Sequence, residues 1–185
     1  GRRNQSYLGE IYVLDLPDGE PRRLTENRAP EGRLLWAPDS RRFAYTAQST
    51  EEWELREARI YLMDVAGGEP RALTEGFEGS IGDFEWTPDG RTIVFGARQG
   101  TSQNLYRLDV ASGSIAQVTD AEGSLSPQSF SRDRSLMAYT CEDFDTPPDV
   151  WVGRTDGTGA VRLTHANPDI EQEIALGEGE VIRWR

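Results

Sequence analysis

The chain contains one cysteine, Cys141, one histidine, His165, and no lysine, so all twenty of its basic residues are arginine. A lone thiol excludes an internal disulfide and a cysteine-rich metal site. A lone imidazole likewise excludes a multi-histidine centre. The missing lysine reads as genomic coding bias rather than chemistry. No apolar run approaches the roughly 18 residues that a membrane-spanning helix requires. No leader peptide is visible either, but the opening GRRN reads as a cut end, so that lack carries no weight. Positive charge is scarce overall: 20 basic residues face 32 acidic ones, for a net charge of -12. Such a surface repels phosphate backbones and anionic lipid, so neither nucleic acid nor membrane is an expected partner.

What is plentiful is turn chemistry. The 185 residues include 19 Gly and 10 Pro, with only 36% hydrophobic residues. That profile suits many short strands joined by tight turns in one domain better than it suits a helical bundle. Four segments repeat: IYVLDLPDGEPRRLT from Ile11, IYLMDVAGGEPRALT from Ile60, LYRLDVASGSIAQVT from Leu105 and VWVGRTDGTGAVRLT from Val150. Between them a second unit recurs, as WAPDSRRFAYTA from Trp36, WTPDGRTIVFGA from Trp86 and FSRDRSLMAYTC from Phe130. Two hairpins per period of about 45 residues are the pattern of a four-stranded propeller blade.

The turns carry their own mechanism. Asp18-Gly19, Gly67-Gly68 and Ser112-Gly113 are expected to supply positive φ at hairpin tips. Pro88-Asp89-Gly90 combines a fixed φ, a side-chain acceptor and a left-handed position. Ser40 replaces that glycine in the first copy, and Arg132-Asp133-Arg134 lacks both Pro and Gly in the third. Asp39, Asp89 and Asp133 persist throughout, which points to turn capping rather than catalysis. Trp36, Trp86 and Phe130 share one repeat position and are expected to pack between blades.

The fold expected is therefore all-β, a partial β-propeller of about three and a half four-stranded WD-type blades. Residues 1–165 hold the blades and begin in mid-blade. Residues 166–185 form an exit segment with one further strand near 180–184. A half ring leaves open sheet edges, and the missing half is absent, cleaved, or supplied by another chain.

These blades resemble those of TolB-like proteins and of the N-terminal propellers of the prolyl oligopeptidase family. Two stretches resemble the peptidases more closely. Thr146-Pro147-Pro148-Asp149-Val150-Trp151 is similar to the opening of the third strand in the last blade of acylaminoacyl and dipeptidyl peptidases. Leu163, Thr164, His165, Asn167 and Pro168, with Leu176, Gly177, Glu180, Val181 and Trp184, look like that family's exit toward its α/β-hydrolase domain. The resemblance implies a serine peptidase parent whose propeller gates and size-selects short peptides. The chain itself has no G-x-S-x-G elbow and no triad set, so no catalytic residue is assigned to it.

His165 is expected to be a loop or packing residue, and Cys141 a small, at least half-buried strand residue. Two prolines before Asp149 stiffen the strand entry, reason enough for that run. The charged stretch STEEWELREAR, Ser49 to Arg59, lengthens the first full blade. The peptidase resemblance implies that an acidic pair there, Glu51 and Glu52, would hold a substrate α-amine; alternatively, exposed Trp53 would mark a contact with the hydrolase domain or a second subunit. The plain reading is a solvated charged loop. No cofactor or metal is expected. The partners implied are the hydrolase domain, the remaining blades and short peptides, with a homo-oligomer as a further option. The competing reading is a TolB-like, non-enzymatic scaffold for a protein partner. Cytoplasmic localisation goes with the first reading and periplasmic with the second.

Overall fold

Each copy of the repeat ends in Thr, and that hydroxyl closes each outer hairpin. The computed structural model describes residues 9–26, 29–48, 57–168, 170, 179–182 and 184. The chain divides into two compact units, Gly1–Phe77 and Glu78–Arg185.

The first unit contains a two-stranded half-blade, β1 (Tyr12–Val13) and β2 (Arg22–Arg23), and one four-stranded blade. That blade runs β3 (Glu31–Trp36), β4 (Arg42–Ala47), β5 (Arg59–Asp64), β6 (Arg71–Ala72), each strand antiparallel to the next. The second unit repeats the plan twice. Its first blade is β7 (Ser80–Trp86), β8 (Thr92–Gln99), β9 (Ser102–Asp109), β10 (Ile115–Gln117). Its second is β11 (Ser124–Phe130), β12 (Leu136–Glu142), β13 (Asp149–Arg154), β14 (Val161–Arg162). A parallel bridge, Ser124 opposite Gln103, joins them.

Alternation explains the cores. In the first unit Phe43, Tyr45, Ala47 and Met63 lie on one sheet face, where Ile11 and Leu24 of the half-blade pack on them. In the second unit Val94 and Leu105 of one blade meet Leu125, Met137 and Tyr139 of the next. Trp86 is buried and Phe130 packs on the second core, as the repeat position predicts. Trp36 does not follow: it is 50% exposed, touching Phe43 edge-on at 6.0 Å. Ile11 and Leu24 sit over strands β4 and β5, and among the described residues β1 pairs only with β2.

The three inner-hairpin turns keep one geometry despite different sequences. Residues Ser40, Gly90 and Arg134 have φ of 55°, 65° and 59°. Each donates its N–H back three residues, to Ala37, Thr87 and Ser131. Asp39, Asp89 and Asp133 accept the N–H two residues on, at 2.9, 3.1 and 3.1 Å. These carboxylates are turn caps, and the bonds hold Ser and Arg in a region that normally favours Gly. At the outer hairpins Gly67, Gly68 and Gly113 take positive φ, but Gly19 does not. Its N–H bonds Asp15 O at 2.8 Å, and a Cβ there would collide with that carbonyl. Close approach, not φ, is what requires glycine at that turn.

The strand expected near 180–184 does not form over Gly179–Ile182. Gly179 lies against the Phe144 ring, where any Cβ would collide, and Val181 lines the same cavity wall. Val181, Ile182 and Trp184 are all exposed.

The closing hydroxyls are alike in all four outer hairpins. Thr25, Thr74, Thr119 and Thr164 Oγ1 accept the N–H of Ile11, Ile60, Leu105 and Val150 at 2.8–2.9 Å, always across 14 residues. The outer strands are two or three residues long, so their ladders end before those N–H groups. A buried donor left unmade costs about 1–3 kcal/mol. Thr74 and Ile60 are both fully enclosed. Thr74→Val keeps the shape and removes the acceptor, and it should lower unfolding free energy by about 1–3 kcal/mol in urea titration.

Candidate functional site

The residue before each latched N–H decides the local chemistry, and it differs from blade to blade. In β9 it is Asn104, whose Oδ1 accepts from Thr119 Oγ1 (2.9 Å) and Ala121 N (2.8 Å), while its amide donates to Ala121 O. In β13 it is Asp149, which accepts from Thr164 Oγ1, the Arg162 guanidinium and Ala166 N. These bonds, the Thr164 hydroxyl foremost, hold its carboxyl down at about 2. Before Ile11 it is Glu10, paired with Arg23 at 3.0 Å. Every buried polar side chain among the described residues (Thr25, Thr74, Asn104 and Asp149) belongs to such a latch.

The first latch is unlike the others. Thr25 has one hydroxyl proton, and two carboxylates reach for it: Glu31 Oε2 at 2.7 Å and Glu10 Oε2 at 3.2 Å. Glu31 Oε1 is enclosed with no hydrogen-bond donor in reach among the described residues. Burial pushes the Glu31 carboxyl above its ordinary value, the Thr25 hydrogen bond opposes this, and the Glu10 charge adds to it. Beside it lies a cavity of about 420 Å³ with Glu26, Glu31 and Glu69 on its wall. Tyr45 and Tyr61, stacked at 5.6 Å, form an aromatic side. Burial, with Glu31 and Tyr61 nearby, keeps the Tyr45 phenol far above its usual range and therefore neutral. Carboxylates and aromatic faces together suit cationic groups. A second cavity, about 510 Å³, lies between Glu122, Asp143, Asp145 and Phe144 of the blades and Gly179 and Val181 of the exit segment.

Glu51, Glu52 and Trp53 lie outside the described residues. His165 is exposed in the turn between Thr164 and Ala166, away from any nucleophile-and-base arrangement. Cys141 is half-buried against the second core, and burial, then Asp143 and Glu142, push its thiol up, making it a poorer nucleophile. Among the described residues no cluster of three or more His, Cys, Asp or Glu is arranged for a metal. The residue that sequence reasoning undervalued is Asp149: in the TPPD run it ties blade to exit segment through Ala166. Its signal was spacing, since Glu10 and Arg23, and Asp149 and Arg162, stand 13 residues apart.

Successive four-stranded antiparallel sheets, face-packed and latched alike, define a β-propeller. The family model of the TolB beta propeller domain, PD40, matches residues 35–182, so the chain belongs to that family. An uncharacterized protein of Agrobacterium fabrum is 32% identical over 145 residues, covering 77% of this chain and 47% of its own length. Dipeptidyl-peptidase 5 of Porphyromonas gingivalis is 23% identical over 162 residues, covering 87% of this chain and 23% of its own. The chain thus spans half or less of the length of these relatives. Among solved structures, TolB of Acinetobacter baumannii superposes with a TM-score of 0.60 at 22% identity, over 85% of this chain and 38% of that one. Acylaminoacyl peptidase of Pyrococcus horikoshii gives 0.64 at 18% identity, over 90% and 24%. At those identities the structures show the fold alone. The domain is related to TolB and peptidase propellers alike.

Asp149 and Glu31 should respond to pH with opposite signs. Asp149 has a lowered folded-state value, so its contribution is present above about pH 4 and fades as pH falls toward 2. Glu31 has a raised value, so its carboxylate destabilises the fold at neutral pH and is protonated and harmless in acid. Asp149→Asn should therefore lower the thermal midpoint at pH 7 and Glu31→Gln should raise it. Both differences should shrink in thermal melts near pH 2–3.

Proposed function

We propose that this chain is the substrate-gating, size-selecting propeller portion of a serine peptidase acting on short peptides, and is not itself catalytic. The observation that carries the reading is extent. Likeness to dipeptidyl-peptidase 5 runs through 87% of the chain, whereas sequence likeness to TolB of Francisella tularensis runs through 53 residues, or 29%. Two contacts after the last blade support it as well. Asp149 fixes Ala166, and Gly179 lies against Phe144, so the described parts of this segment touch the last blade at both points. Rigid blades around a channel admit flexible peptides and exclude folded proteins sterically.

A second reading, a TolB-like scaffold that binds a protein partner, is favoured by the family model and by the TolB structure, which covers 85% of the chain. Expression of the complete parent gene separates the two. A product that labels with a serine-directed fluorophosphonate, hydrolyses short peptides and leaves folded protein intact is the result expected. Failure to label, or equal cleavage of folded protein and peptide, contradicts the gating reading.

A further inference from the structure

The three full blades share one repeat, and the middle one departs from it at a single pair of positions. Near the head of each first strand, one residue lies opposite one near the end of the second. The pairs are Gly32 with Thr46, Gly82 with Gly96, and Ser126 with Thr140. In the first blade packing requires the glycine, because a Cβ on Gly32 would come within 2.6 Å of Thr46 Oγ1. In the middle blade both places are glycine. A Cβ on Gly82 would meet only Gly96 O, at an ordinary 3.5 Å, and the φ of Gly82 is not positive. Neither packing nor backbone conformation calls for glycine at position 82, although glycine weakens a strand interior and often marks a close approach by a ligand.

The missing side chains leave a notch of about 190 Å³, bordered by Gly82 and Gly96 and by Ser80, Arg98 and Gln103. Arg98 Nη2 donates to Gln103 Oε1 at 3.4 Å, and Gln103 Nε2 donates to Ser126 Oγ on the next blade at 3.0 Å. Among the described residues the Arg98 side chain makes no other hydrogen bond and no ion pair. A guanidinium has five N–H donors in a planar fork that matches a carboxylate. The repeat position of Arg98 holds Gln48 and Glu142 in the other two blades, and that of Gln103 holds Ala58 and Pro148. The cation, its orienting amide and the glycine pair therefore coincide in one blade.

Charge sets the sign of the ligand. The two larger cavities have carboxylates on their walls, whereas this one has an arginine and no carboxylate. Its volume lies below the roughly 300–1,000 Å³ of pockets that hold a whole ligand, so it suits one group of a longer molecule. The notch lies in the middle of the chain, with described blades before and after it in sequence.

We propose that the Gly82–Gly96 notch binds a carboxylate group of a peptide. The Arg98 guanidinium is the donor, Gln103 orients it, and the two glycines admit the atoms that carry the carboxylate. A C-terminal α-carboxylate and an Asp or Glu side chain offer the same two oxygens. This site goes beyond the gating reading and needs no catalytic domain, so either can fail while the other stands.

Titration of the 185-residue chain, followed by the NMR shifts of the Gly82 and Gly96 amides, tests it with three peptides. Acetyl-trialanine carries only a terminal carboxylate, acetyl-Ala-Glu-Ala-amide only a side-chain one, and acetyl-trialanine amide none. Saturable shifts are expected with the first, the second or both, which identifies the source, and none with the third. Arg98→Gln should weaken binding about tenfold or more. Gly82→Leu should abolish it by filling the notch. Arg107→Gln, at an exposed arginine of β9, should leave it unchanged. Absence of saturable shifts, equal shifts with the third peptide, or binding that survives Gly82→Leu overturns the proposal. So does an equal loss in Arg107→Gln, which would mean general attraction of anions. If a melt shows Gly82→Leu unfolded, Arg98→Gln decides alone, since that side chain is exposed and unchanged affinity overturns the site.

Discussion

A hydroxyl placed 14 residues downstream holds each blade's outer hairpin shut, and much of the structure depends on that one bond. The outer strands are too short to close their hairpins by ladder alone. The N–H at the head of the third strand would otherwise face an interior with no acceptor, which is costly wherever it is buried. Threonine suits the task because its side chain is short, its hydroxyl both accepts and donates, and its β-branched shape fits a pleated strand end. Having accepted the N–H, the same oxygen can pass its proton on. Where that proton goes is what distinguishes one blade from another.

In two latches the receiver is a carboxylate with an arginine two residues before the threonine: Glu10 with Arg23, and Asp149 with Arg162. In a third the receiver is Asn104, and Gln117 stands where the arginine would be, donating to Thr119 O at 2.7 Å. Charge is therefore matched within these three latches, acid with arginine and amide with amide, whereas the Thr74 latch has Arg59 and Ala72 at the same two places. The first latch exceeds its allotment because Glu31 brings a second carboxylate to a single proton. An acidic cavity lies beside that excess.

Most of this architecture was legible in the residues. The repeat gave blade order, hairpins and capping aspartates, because periodicity and turn chemistry are local. Trp36 is half-exposed and Trp86, at the same repeat position, is buried, because burial depends on long-range neighbours that a repeated motif does not report. Gly19 was assigned the right turn for the wrong reason: collision with Asp15 O arises from how the loop folds back, not from its dipeptide. The strand near 180–184 alternated convincingly, but alternation cannot say whether a partner edge is present. Asp149 was read as part of a stiff strand entry, although its spacing from Arg162 matches that of Glu10 from Arg23. The latch needed coordinates because a repeated Leu-Thr ending looks the same whether its hydroxyl faces water or an N–H. Glu51, Glu52 and Trp53 were the acidic pair and the aromatic that sequence proposed, and they fall outside the described residues.

Hydrogen exchange of the four latched amides, read by NMR on the wild-type chain, addresses the latch directly. The Val150 side chain is well exposed and Ile60 is fully enclosed, so burial and latching make different forecasts. If the threonine hydroxyl protects the N–H, the amides of Ile11, Ile60, Leu105 and Val150 should all exchange far more slowly than unbonded amides, Val150 included. Rapid exchange at Val150 beside slow exchange at Ile60 would show that enclosure, not the latch, protects these positions, and would contradict the account.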